Sequence, residues 1–489
     1  MKHVFPSRWP GQFLVSRSVS RMPESRRHRL HAHEILAFDP LQVIPVEDAR
    51  GQRVGAFLGT PVDYRAKKVL AGVHRTQTAA DTDVDAFVAG EILGLAGSFL
   101  FLLDLPGTAR LYMDAAGSLP AVYEPETRRV AATSLQLLTP ENAPARFRRD
   151  LYETLGILRE GWFPTGLTAH EGIMRMIPNH YLDLHDFTLH RYRPRRAVPR
   201  ATSPEEACGR ILKNMREIML PFLKREGLSI TLTAGNETRM LLAAARPFRE
   251  KAEFVTVVSD QARLDRVRAD ELATRFGLRH RHVPLRFATE EQGRLWHALT
   301  GYTLGGPHMQ THPTSAYLAP DTWLVGGVSG EVGRGFFWRP GDDDDTDITP
   351  EGLWARMGMP PHPEGIAATA AWLRGVRGLP ALLILDLAYL ELRVACWGFV
   401  TIYASHVRRM LQPLVAREIY EAMLSLPPEW RRMQGHSNRM VREVIRQGWP
   451  ALLELPIGCY GDWRDRTDLL KRALRKPYLV AKVLRKRFA

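Results

Sequence analysis

The chain has 489 residues, 45% of them hydrophobic and 25% charged, with a formal net charge of +14. That length holds two or three domains with sizeable cores. Three widely separated cysteines (Cys208, Cys396, Cys459) exclude a disulfide framework and a zinc-finger spacing. The start lacks a signal-peptide core and no apolar run reaches about 18 residues, so a cytoplasmic protein is expected.

Residues 1–35 are basic and irregular, with Arg21, Arg26, Arg27 and Arg29 close together, and read as loosely ordered. From 34 to about 138 the pattern is β-rich. Segments 97–104 and 109–114 read as adjacent strands joined at Pro106-Gly107, 130–134 as another strand, and 86–94 as a helix. A connector follows over 146–200. Within it His180 stands beside a turn and reads as structural. The Pro-flanked basic stretch 193–199 reads as the linker onward.

Residues 228–245 organise the remainder. Apolar and β-branched residues over 228–232 predict a buried strand, and the Leu-, Met- and Ala-rich run from Thr238 predicts a helix. Between them lie Thr233, Ala234, Gly235, Asn236, Glu237 and Thr238. A strand passing through small residues into a helix start presents free N–H groups to an anion such as phosphate. An ordinary strand–turn–helix fits the same residues. Segment 253–258 is a second strand, 265–277 a helix, and 282–285 a third strand; the alternation predicts a parallel sheet. Residues 322–326 form a further strand that ends in Gly327-Val-Ser-Gly-Glu-Val-Gly-Arg334. Carboxyl ends of strands are where such sheets bind ligands, which brings Ser329, Gly330 and Glu331 beside the first loop. Gly341 to Asp347 carries five aspartates and reads as a solvated loop. Stretches 383–397, 413–420 and 438–446 read as helices.

These motifs, in this order, resemble the asparagine synthetase and β-lactam synthetase family of the ATP-pyrophosphatase superfamily. Thr233, Ala234, Gly235, Glu237 and Thr238 fall on its Ser-Gly-Gly-x-Asp-Ser loop, and Ser329, Gly330 and Glu331 on the start of its Ser-Gly-Glu-Gly-Ser-Asp-Glu motif. The resemblance implies an N-terminal nucleophile-type α/β sandwich over 1–145, the connector, and an adenine-nucleotide α-hydrolase-like, doubly wound parallel sheet with a helical C-terminal part over 201–489. It also implies an AMP-forming carbon–nitrogen ligase using ATP and Mg2+, its substrates a small-molecule or peptide carboxylate and an amine. The pyrophosphate would sit on 233–238, Ser329 and Gly330. Glu237 would hold metal, and Glu331 would orient and deprotonate the amine. Where the family has a second metal-binding Asp this chain has Arg334, which would meet phosphate directly or pair with Glu237. The family's late catalytic Lys has no counterpart; Arg439 and Arg442 are the nearby cations. Asp386, Tyr389, Arg393 and Arg417 match helix positions over the family's site and read as packing or supporting residues. Lys2 stands where a glutaminase carries its cysteine, so glutamine hydrolysis is not expected. The alternative is a non-catalytic nucleotide-binding or scaffold protein on a decayed synthetase fold.

The charge excess admits nucleic acid, anionic membrane or phosphorylated ligands. No nucleic-acid motif is visible, so that partner is not expected. Eight Lys or Arg and no acid lie between 471 and 488. This tail can lie weakly on an anionic membrane or pack as a terminal helix.

Overall fold

The computed structural model describes residues 3–465 apart from 19, 21, 81, 82, 225, 261, 407 and 408. The chain is mixed α/β, with two antiparallel-rich sheets before residue 192 and one parallel sheet after residue 227.

The first sheet runs Met174–Arg175, Val122–Glu124, Arg129–Ala131, Phe13–Ser16, Glu34–Phe38, Ser25–Arg29. The second contains the long strands Arg53–Asp63 and Ala96–Leu105, the latter turning through Gly107 (φ 76°) into Thr108–Met113 as expected. Period-2 alternation stacks the sheets. Phe13 and Val15 pack with Leu58, Leu100 and Leu111 of the second sheet, whereas Leu14 faces the opposite core. The far face of the second sheet, Phe57, Phe99 and Phe101, is covered by the helical segment over 84–92.

Three expectations change here. The basic segment before residue 35 is ordered over Ser25–Arg29 as an edge strand. Its backbone pairs with Glu34–Phe38 and its Arg side chains stay largely in solvent, the charge pattern that protects an edge. Segment 146–200 supplies Met174–Arg175, His180–Asp183 and Leu189–Arg191 to the two sheets. Asp342 of the acidic stretch is buried rather than solvated; its carboxylate accepts from Arg356 at 2.5 and 2.8 Å.

The first strand begins at Phe13, and the buried Gln12 before it is tied on both sides. Its Nε2 donates to the Leu299 carbonyl (3.0 Å) and its Oε1 accepts from Thr133 (3.0 Å). Lys2 lies outside the described residues. His180 is buried, its Nδ1 2.9 Å from the Pro178 carbonyl, and burial lowers its pKa.

In the parallel sheet the strand order is His280–Pro284, Ala252–Val258, Leu228–Thr231, Trp323–Val325, Met410–Leu411. From Leu228–Thr231 the chain winds outward to one edge, then returns to the other side of the same strand. The order therefore reverses between Leu228–Thr231 and Trp323–Val325, the position beyond whose strand ends sheets of this kind hold their ligands. Helix Asn236–Ala245 buries Met240, Leu241 and Leu242 in the core that also holds Leu228 and Ile230. The expected helix over 413–420 starts later, at Arg417, because 413–414 is a turn and Ala416 before the helix is extended. Among the described residues no helix is long and apolar enough to cross a membrane. The basic tail over 471–488 lies outside the described residues.

Candidate active site

The candidate site is built from the two strand ends that flank the reversal. The Leu228–Thr231 strand leads into the 233–238 loop and then helix Asn236–Ala245. Thr233 and Thr238 close the loop through their hydroxyls, 2.8 Å apart. Two loop N–H groups are already engaged: Ala234 donates to Asp265 Oδ1 (3.0 Å) and Gly235 to Thr233 Oγ1 (3.1 Å). The first N–H groups of the helix have no intrahelical acceptor and give this end its positive potential. Asn236 is held from outside, its Nδ2 donating to the His436 carbonyl at 2.9 Å, and Gly458 N–H donates to the Ala234 carbonyl at 2.7 Å.

The second wall is the turn after Trp323–Val325. Ser329 is buried with φ 78° and leads into the short helical turn Gly330–Arg334. Two glycines let this turn press on the first loop. A Cβ at Gly327 would stand 2.6 Å from Glu237 Cβ, and one at Gly330 would stand 2.5 Å from Glu237 Cγ. Arg431 and Asn438 pin the turn from behind. They donate to the carbonyls of Val332 (2.5 Å) and Gly333 (3.1 Å).

These contacts bring Glu237, Glu331 and Arg334 together. Arg334 Nε donates to Glu237 Oε1 at 2.8 Å, and its Nη2 lies 3.3 Å from Glu331 Oε1. Burial pushes the Glu237 carboxyl above its usual range; Arg334 pulls against that shift and Glu331 adds to it. Beyond Glu331 lie Tyr389 and Arg393, four residues apart on the π-type segment Ala388–Gly398. Burial and the adjacent Glu331 carboxylate raise the Tyr389 hydroxyl well above its usual pKa. The Arg393 guanidinium lies over the rings of Trp397 (4.7 Å), Phe336 (4.9 Å) and Trp162 (5.6 Å). Trp162 and Phe336 carried no recognisable signal in the sequence, since only folding brings these rings onto Arg393.

The predicted site residues thus meet: Thr233 to Thr238 form one wall, Ser329, Gly330, Glu331 and Arg334 the other. Asp386 stands behind the second wall, and Arg417 lies away from the site. Asp386 pairs with buried Arg431 (2.7 Å), and burial pushes its carboxyl up to about 6. Arg417 reaches Tyr192 and the Leu93 carbonyl of the N-terminal sheets. Arg439 and Arg442 are exposed, Arg439 over the Trp430 ring. Glu237 as a metal ligand does not fit the geometry. Where a cation would bridge Glu237 and Glu331, the Arg334 guanidinium already bonds to one carboxylate and neighbours the other.

No protein-family model and no curated protein matches the chain. Among solved structures, the chain is similar to NMN synthetase from Francisella tularensis at 13% identity and TM-score 0.21, over 42% of this chain and 94% of that one. It is similar to the NH3-dependent NAD synthetase from Campylobacter jejuni at 12% identity and TM-score 0.18, over 36% of this chain and 75% of that one.

Proposed function

We propose that the chain is an ATP-dependent ligase that adenylates a carboxylate and passes the acyl group to an amine, without hydrolysing glutamine. The observation that supports this best is the meeting of the phosphate-type loop with Glu331 and Arg334 at the reversal point of a parallel sheet. In this reading the free N–H groups at the start of helix Asn236–Ala245 receive the phosphates. Arg334 turns its guanidinium from Glu237 to the charge that builds on the leaving pyrophosphate. A substrate carboxylate oxygen bonds to the α-phosphorus as the bond to the β-phosphate oxygen breaks. The amine nitrogen then attacks the acyl carbon, AMP leaves, and Glu331, beside Tyr389, takes the amine proton. Mg2+ bound to the triphosphate would supply further charge neutralisation there, beside the Arg334 guanidinium that the chain itself provides.

A second reading, a non-catalytic nucleotide-binding or scaffold protein, is favoured by two contacts. Arg334 satisfies Glu237 within the chain, and Asp265 occupies the Ala234 N–H. Two measurements separate the readings: binding of an ATP analogue in the presence of Mg2+, and pyrophosphate release over a panel of carboxylates with amines. Carboxylate-dependent release, together with amide formation that Glu331→Gln abolishes while analogue binding stays intact, supports the ligase. Binding without release by any substrate pair supports the second reading. Absence of analogue binding by the parent chain removes the nucleotide site from 233–238.

A further inference from the structure

A separate cluster stands at the edge of the parallel sheet. His280 and His282 are two residues apart on the His280–Pro284 strand, so their side chains leave the same face. Helix Arg263–Phe276 places Asp270 against them. Asp270 Oδ1 is 2.7 Å from His282 Nε2 and 3.7 Å from His280 Nδ1. Three ligand atoms, one from each residue, all lie within 4.8 Å of one another.

The hydrogen bonds behind the cluster place a proton on His280 Nε2. Thr256 Oγ1 donates its only proton to the Leu232 carbonyl at 2.6 Å. Toward His280 Nε2, 2.8 Å away, Thr256 Oγ1 therefore acts as acceptor, and the ring carries its proton on Nε2. A neutral imidazole then turns its Nδ1 lone pair toward Asp270 Oδ1. Two electron-rich atoms facing each other at 3.7 Å repel unless a cation lies between them. The His280 side chain is 8% exposed, so water reaches the pair only from the half-exposed Asp270 side. An outer hydroxyl that sets the tautomer of a histidine is also the arrangement that prepares an imidazole for metal.

We propose that His280, His282 and Asp270 form a site for a divalent transition-metal ion of the zinc class, independent of the nucleotide chemistry proposed above. Ligand atoms bound tetrahedrally at about 2.0–2.1 Å stand about 3.3 Å apart. The observed 2.7 and 3.7 Å bracket that spacing, so small side-chain rotations suffice. Two imidazoles and one carboxylate suit zinc and its neighbours rather than calcium or magnesium. The fourth position faces solvent, because the side chains of His282 and Asp270 are 42% and 46% exposed. A bound ion would fasten the edge strand to helix Arg263–Phe276, whose Asp265 holds the Ala234 N–H of the 233–238 loop.

The test uses the full-length chain, freed of metal with a chelator and titrated with Zn2+, then with Co2+ as a visible reporter. One Zn2+ per chain is expected, with a Co2+ spectrum of low coordination number and a melting temperature that rises with Zn2+. His282→Ala and Asp270→Asn change exposed groups and are expected to fold, as circular dichroism checks. Each should weaken Zn2+ by more than the about 10–100-fold that loss of an outer-shell partner costs. His185→Ala, at an exposed histidine elsewhere, should leave binding unchanged. No binding by the parent chain, or binding that survives either cluster substitution, overturns the proposal.

Discussion

Replacing Arg334 by Met removes the only cation within ion-pair distance of Glu237 and Glu331 among the described residues. Unit charges about 4 Å apart near a protein surface attract by about 4 kcal/mol, and desolvation of the pair offsets a large part of that. The side chains are 22% and 14% exposed, so solvent screens them only in part. We expect Arg334→Met to cost about 2–3 kcal/mol, below the full cost of breaking a buried pair. The sign of the pH dependence follows from Glu237, whose folded-state carboxyl is already raised by burial. Without Arg334 it rises further, so the folded state binds more protons than the unfolded state and stability falls as pH rises through the folded pKa. The loss relative to the parent should therefore be smaller at pH 5 than at pH 8. Urea denaturation at both values, with Arg334→Met/Glu237→Gln as the double variant, measures this. The double variant should recover most of the loss. A single variant within about 0.5 kcal/mol of the parent, or strictly additive effects, would refute the pairing.

Gly330→Ala sets a Cβ 2.5 Å from Glu237 Cγ and 2.9 Å from Leu414 Cδ1. It should lose about 1–3 kcal/mol by overpacking, and an unchanged melting temperature would mean the turn does not press on Glu237. Purified protein given glutamine and ATP should release no glutamate; stoichiometric release coupled to ATP use would place a glutaminase in the chain. For the basic tail, full-length protein and a version ending at Asp468 are compared by sedimentation with anionic and neutral vesicles. Packing as a terminal helix predicts no difference. Anionic-only pelleting lost on truncation assigns the tail to the membrane surface.

The strand, loop and helix over 228–245 were legible because each is decided by neighbours in sequence. β-branched and apolar residues extend the chain, small residues turn it, and Leu, Met and Ala coil it. The same holds for the hairpin at Pro106-Gly107 and for the parallel order implied by alternating strands and helices. The Ser25–Arg29 strand was not legible, because its charged side chains carry no periodic apolar signal and its order comes from backbone bonds to Glu34–Phe38. Local sequence was equally silent on charge. Arg334 and Glu237 are 97 positions apart, and whether that guanidinium answers a carboxylate or a phosphate depends on two glycines letting one turn lie against the other loop. His280 and His282 on a strand are two ordinary polar residues until helix packing delivers Asp270. Backbone preferences act over a few residues and are written in order along the chain. Electrostatic partners are chosen at distances of about 3 Å that only the packed structure sets.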